Sequence, residues 1–202
     1  MVTASERSGS GSRRRSRQDH RLPSSRPKTL TLHNHQGLRP LKVRFLRRIV
    51  RALLRETWED GSFDLAVHIV AAPEITRLNE TFLHHKGATD VITFDYAERT
   101  APASRRSRSS APNRRSSHSP DARPTLLHGE IFVCLDEAVS QARRFRTSWQ
   151  SELVRYIVHG VLHLLGYEDV QGRARRRMKV AEDTLVRQLS SQFDFRRLSR
   201  PG

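Results

Sequence analysis

Leu30 and Leu32 alternate with threonine and histidine over residues 29–34, the period of a strand with one buried face. From Pro40 the period changes. Leu41, Phe45, Ile49 and Ala52/Leu53 recur at helical spacing with arginines between them, which predicts an amphipathic helix of about four turns. Leu65, Val67 and Ile69 restore the alternation over 63–71, with Ala66 and Val70 making the second face apolar too. Pro73 opens a helix over 73–83 with Ile75, Leu78 and Phe82 on one side, and a β-branched strand follows over 89–96. A further strand over 126–136 leads into a helix over 137–145. The long apolar run after it begins at a capping box of Thr147 and Gln150 and stops at Gly166. The last element is a basic amphipathic helix over 173–189, with Met178, Ala181, Leu185 and Leu189 in line. The sum is an α/β fold: a single compact domain with one sheet of about four strands and five or six helices.

Two stretches carry no such period. Residues 1–28 and 98–125 are rich in serine, arginine and proline and almost free of apolar residues, so they are expected to be a disordered basic tail and a disordered insertion between two strands. The folded domain is then 29–190, with 191–202 a C-terminal tail. Of the net charge of +16, residues 1–28 hold +6 and residues 98–124 hold +5. Such charge favours a polyanion, although solvated low-complexity sequence has the same composition. Cys134 is the only cysteine, which excludes an internal disulfide framework. It sits in a predicted strand, as a small buried core residue does. No apolar run approaches a membrane span, and residues 1–20 have no apolar stretch for a secretory signal, so a cytoplasmic protein without a membrane partner is expected.

The chemistry concentrates in HGVLHLLGYED, residues 159–169. On a helix, positions i and i+4 share a face, so His159 and His163 can reach one ion. Gly160, Val161 and Leu162 between them offer no competing donor. Gly166 lets the backbone leave the helix and bring Asp169 toward the same face. Two imidazoles and a carboxylate leave one position open on a four-coordinate Zn²⁺, the layout of a catalytic site; two core histidines and a loop aspartate would give the same letters. A metalloprotease of the His-Glu-x-x-His type would carry glutamate directly after the first histidine, where this chain has Gly160. Either the base lies elsewhere, or a metal-acidified water needs none.

The same eleven residues resemble the signature of the YbeY family of metal-dependent endoribonucleases, His-Gly-x-Leu-His-Leu-x-Gly-Tyr-Asp-His. LNETFLHHKGATDVITFDY (78–96) and GEIFVCLDEA (129–138) resemble two further family segments, in the same order, and the resemblance covers about residues 29–190. It implies one zinc ion held by His159, His163 and Asp169, with aspartate where many members have a third histidine. It also implies cleavage of single-stranded RNA, maturation of the 3′ end of 16S ribosomal RNA, and ribosome quality control with the small subunit as partner. Leu83 stands where many members place a phosphate-binding arginine, and His84, His85 or Lys86 could supply that charge. Arg173, Arg175 and Arg176 either track the RNA backbone or form a solvated helix face. Attack by a zinc-bound water or hydroxide and attack by the RNA's own 2′-hydroxyl both fit. Three functions remain: the RNase with His159 and His163 acting through the metal-bound water, a weakly catalytic ribosome-assembly factor with a structural metal, and a metal-dependent peptidase.

Overall fold

The computed structural model describes residues 28–58, 61–97 and 126–199. Residues 1–27 of the expected basic tail and the whole expected insertion lie outside the described residues; Lys28, expected in the tail, opens the first strand. Four strands form one sheet in the order β1-β2-β4-β3: β1 (Lys28–Asn34), β2 (Ser62–Val70), β4 (Leu126–Cys134) and β3 (Val91–Asp95). β1, β2 and β4 run parallel, and β3 is antiparallel to β4.

The alternation read from the sequence becomes two different faces. Leu30 and Leu32 of β1, Leu65 and Val67 of β2, and Leu127, Ile131 and Val133 of β4 turn into the main core. That core is closed by α1 (Val43–Thr57), α4 (Trp149–Leu164) and α5 (Gly172–Gln192). On the other face a smaller cluster of Val70, Ile92 and Cys134 is covered by Ile75 and Leu78 of α2 (Ala72–Leu78). α3 (Leu135–Phe145) follows β4 without a break, so the strand expected to reach residue 136 ends at Cys134. Cys134 is fully buried, and burial raises its thiol pKa.

Four local expectations are corrected. The cap of α4 is Ser148, whose hydroxyl accepts from the Ser151 amide at 3.2 Å; Thr147 instead donates to Glu152 at 2.6 Å. The helix expected over 73–83 becomes α2 and then a π-helical turn, Asn79–Leu83. The wider turn rotates Phe82 off the buried side, and its ring is 55% exposed, edge-on to Phe94. The buried stripe of α5 is Met178, Glu182, Val186 and Leu189; Ala181 and Leu185 are only partly buried. The segment after residue 190 is no free tail, because Phe195 and Leu198 of a 3₁₀ turn are buried in the main core and Ser199 bridges Leu41.

α4 meets the sheet at two glycines. A Cβ on Gly160 would lie 2.6 Å from Cγ2 of Ile131, and one on Gly129 would lie 2.7 Å from Cδ2 of Leu164. The helix therefore lies closer to β4 than side chains at these positions allow, and this contact fixes the height of its histidines above the sheet.

Candidate metal centre

α4 ends one turn after His159, with His163 on the same face. Gly166, at φ 87°, takes the left-handed conformation that closes the helix. Its amide donates to the carbonyl of His163 at 2.9 Å and that of Tyr167 to Leu162 at 3.0 Å. The reversal carries Asp169 back to the histidines, as its spacing predicted. The Nε2 atoms of His159 and His163 are 3.1 Å apart, and Oδ2 of Asp169 is 3.8 Å from Nε2 of His159. One donor atom from each of the three residues lies within 4.8 Å of the others, the only such group of three His, Cys, Asp or Glu among the described residues.

The outer ring nitrogens decide what the inner ones can do. Nδ1 of His163 lies 3.0 Å from the carbonyl oxygen of Tyr167, which can only accept, so Nδ1 carries the proton. Nδ1 of His159 lies 3.0 Å from Oε2 of Glu182. Burial together with the neighbouring His159 lowers the pKa of His163, against the raising influence of Asp169. The two Nε2 atoms face each other across 3.1 Å beside Oδ2 of Asp169, so once neither carries a proton their lone pairs converge on a single cation. Two nitrogens on a tetrahedral zinc at 2.0–2.1 Å stand about 3.3 Å apart, close to the spacing found. The residues fit a divalent ion.

Glu182 is the functional residue that the sequence pattern missed. It sits buried on α5 and accepts from Arg155 at 2.6 Å and Lys179 at 2.7 Å as well as facing His159. Burial alone would raise its pKa, but hydrogen bonds from His159, Lys179 and Arg155 outweigh that and bring it down to about 2. The available signal was a charged residue four positions from Met178 and four from Val186, inside an otherwise apolar stripe. Asp90, which precedes β3, could by its letters be a turn or cap residue or line the cleft, and it does both: it caps β3, accepting from the Val91 amide at 2.9 Å, and it lines the cavity over His159.

That cavity, about 750 Å³, contains His159, Asp169 and Glu182, with Arg175 and Arg176 on its wall. A second of similar size opens on the other side of Asp169 and holds His163 and Arg173. His84, His85 and Lys86 are exposed on the turn after the π-helical segment and line neither cavity. Leu83 is 46% exposed.

A family model described as Endoribonuclease YbeY matches residues 32–190. A protein named Endoribonuclease YbeY from Salinibacter ruber is 29% identical over 80% of this chain and 92% of its own length. One of the same name from Chlorobium phaeovibrioides is 31% identical over 81% of this chain and 92% of its own. A third, from Chlorobium phaeobacteroides, reaches 36% over 72% and 87%. The solution structure of TM1509 from Thermotoga maritima superposes with a TM-score of 0.51, covering 81% of this chain and 91% of that one at 24% identity, which establishes a shared fold.

Proposed function

Because this chain belongs to the YbeY family of endoribonucleases, we propose that it is a metal-dependent hydrolase of single-stranded RNA, with one Zn²⁺ held by His159, His163 and Asp169. The observation that carries this reading is the pair of Nε2 atoms facing each other at 3.1 Å beside Asp169, with both Nδ1 atoms within hydrogen-bond reach of other acceptors. An ion bound there would supply Lewis acidity toward a phosphoryl oxygen and would acidify either a water or the RNA's own 2′-hydroxyl for attack. The protein orients the two imidazoles through Glu182 and the Tyr167 carbonyl. It neutralises RNA phosphates with Arg175 and Arg176 on one side of Asp169 and Arg173 on the other.

The biological substrate we assign is the 3′ end of 16S ribosomal RNA, in small-subunit maturation and ribosome quality control in the cytoplasm. No helix among the described residues is long and apolar enough to cross a membrane. Residues 1–28 and 98–125 add salt-dependent affinity to the 29–190 nuclease domain. The peptidase reading loses further ground at Gly160, whose backbone lies against Ile131 and leaves no room for a glutamate. An assembly factor with little catalysis is favoured by one feature, the exposed apolar pair of Phe82 and Leu83 where a phosphate-binding arginine would sit.

The test is incubation of the full chain with single-stranded RNA, with and without chelator, beside a His159→Ala/His163→Ala variant, with bound metal measured by elemental analysis. Cleavage that chelation stops and the variant lacks is expected, together with loss of bound metal. Full metal occupancy in the variant would refute the ligand assignment. Metal-loaded protein that binds RNA without cutting it would identify the assembly factor.

A further inference from the structure

α1 carries five arginines and a single acid, Glu56, over Val43–Thr57. Arg44, Arg48, Arg51 and Arg55 follow one another at steps of four, three and four, so they form one exposed stripe about 16 Å long. Among the described residues none of the four pairs with a carboxylate; the ion pairs gather instead around Glu182, Asp183 and the histidines. At the C-terminal end of the stripe lies a cavity of about 600 Å³ with Lys28, Arg48, Arg51 and Arg55 on its rim. Its remaining wall includes Trp58, Phe63 and Phe193, all partly buried. The indole of Trp58 is held in orientation by its Nε1, which donates to the Ser62 carbonyl at 2.9 Å. Among the described residues no acidic side chain lines this cavity.

Concavities that have lining residues in common follow one another from the metal centre to this cavity. The one holding His163 and Asp169 shares Arg173 and Arg177 with its neighbour. That neighbour shares Tyr167 and Ala181 with a third, and the third shares Trp58 with the arginine-lined cavity. Phe193, at the C-cap of α5, is eleven residues beyond Glu182, which sets the two ends about 16 Å apart along that helix.

We infer that Arg48, Arg51 and Arg55, with Lys28 and the Trp58/Phe63/Phe193 wall, form a second RNA-binding site, which holds the same single strand that the metal centre cuts. The inference rests on reading the metal centre as an RNA-cutting site. Cations interleaved with aromatic faces are what an unpaired strand requires: the phosphates meet arginine and the bases stack. The aromatic rings are recessed in a cavity, where they can take a planar base but do not protrude as a membrane-inserting surface would. Tyr167 and Trp58 mark the route between the ends.

The test measures affinity of the full chain for single-stranded RNAs of about 4 and about 16 nucleotides, a range that brackets usual site sizes, at several salt concentrations. Arg48→Gln/Arg51→Gln/Arg55→Gln is compared with the charge-preserving triple Lys variant and the unaltered protein. For the long RNA, the slope of log affinity against log salt is expected to fall by about 2 in the Gln variant, since each lost phosphate contact on a single strand contributes about 0.7. The Lys variant keeps the slope. Binding and cutting of the short RNA at the metal centre are unchanged in both. An unchanged slope for the long RNA in the Gln variant overturns the inference, as does binding of anionic phospholipid vesicles, lost in the Gln variant, with RNA affinity intact. If the slope falls as expected but the unaltered protein cuts no RNA, the second site stands and the nuclease reading fails.

Discussion

Removing Glu182 separates orientation of a ligand from the ligand itself. Its side chain is 7% exposed and makes three contacts: Oε2 to Nδ1 of His159 at 3.0 Å, and Oε1 to Arg155 at 2.6 Å and to Lys179 at 2.7 Å. In Glu182→Ala the two cations retain Asp183, which already pairs with both. The buried-pair penalty of about 3–5 kcal/mol for stranding a charge is therefore an upper limit. Arg155 is 27% exposed and Lys179 57%, so a loss of about 1–3 kcal/mol in the metal-free protein is expected. Only His159 is left without a partner at Nδ1. Loss of such an outer partner lowers metal affinity by about 10- to 100-fold, or roughly 1.4–2.7 kcal/mol. Glu182→Gln keeps an acceptor oxygen and is expected to fall between the two. Competition with a chromogenic zinc chelator reads the affinity, and thermal unfolding of the metal-free protein reads the stability. Zinc affinity in Glu182→Ala within twofold of the unaltered protein would show that His159 needs no support from α5, and the reasoning would be wrong.

Gly160→Ala is expected to destabilise the fold by about 1 kcal/mol: overpacking against Ile131 and Thr93 costs about 1–3 kcal/mol and the better helix former returns about 1. A raised melting temperature would refute the close-packing account. Asp169→Ala is expected to lose bound zinc under dialysis while Asp169→His retains it, because only the latter keeps a third donor; equal retention by both, read by elemental analysis, would remove Asp169 from the ligand set.

The metal centre was legible because its geometry is local. A spacing of four on a helix, a glycine at its end and a carboxylate three residues later specify their own arrangement, and Asp169 arrives where that logic put it. What the sequence hid depends on contacts between distant elements. Gly160 read as a missing base, yet its necessity lies in Ile131, twenty-nine residues earlier on another element. Glu182 escaped because a helix stripe drawn through apolar letters alone passes it by, choosing Ala181 and Leu185. Phe82 failed for a different reason: an extra residue in one turn shifts every later side chain, and periodicity assumes a constant turn. The arginines of α1 read as the solvated face of an amphipathic helix. Only the fold shows that three of them share a cavity with aromatic residues from β2 and from the C-cap of α5.

The aspartate at the third position changes the charge of the centre as well as its donor set. Held by two neutral imidazoles and a carboxylate, a divalent ion would keep one net positive charge, where a third imidazole would leave two. Glu182 does not deepen that reduction, because Arg155 and Lys179 answer its charge directly. The attraction lost at the ion is available at the rim, from Arg175 and Arg176 in one cavity and Arg173 and Arg177 in the other. These side chains are exposed, so their field decays over about 8 Å at physiological salt, whereas an ion in the cleft acts at contact. On the proposed reading, positive charge is thus displaced outward from the site of reaction toward the strand that would flank it. The hold of such an RNA-cutting centre on its substrate is expected to depend on RNA length and ionic strength, and supporting that hold is the role we infer for the arginine face of α1.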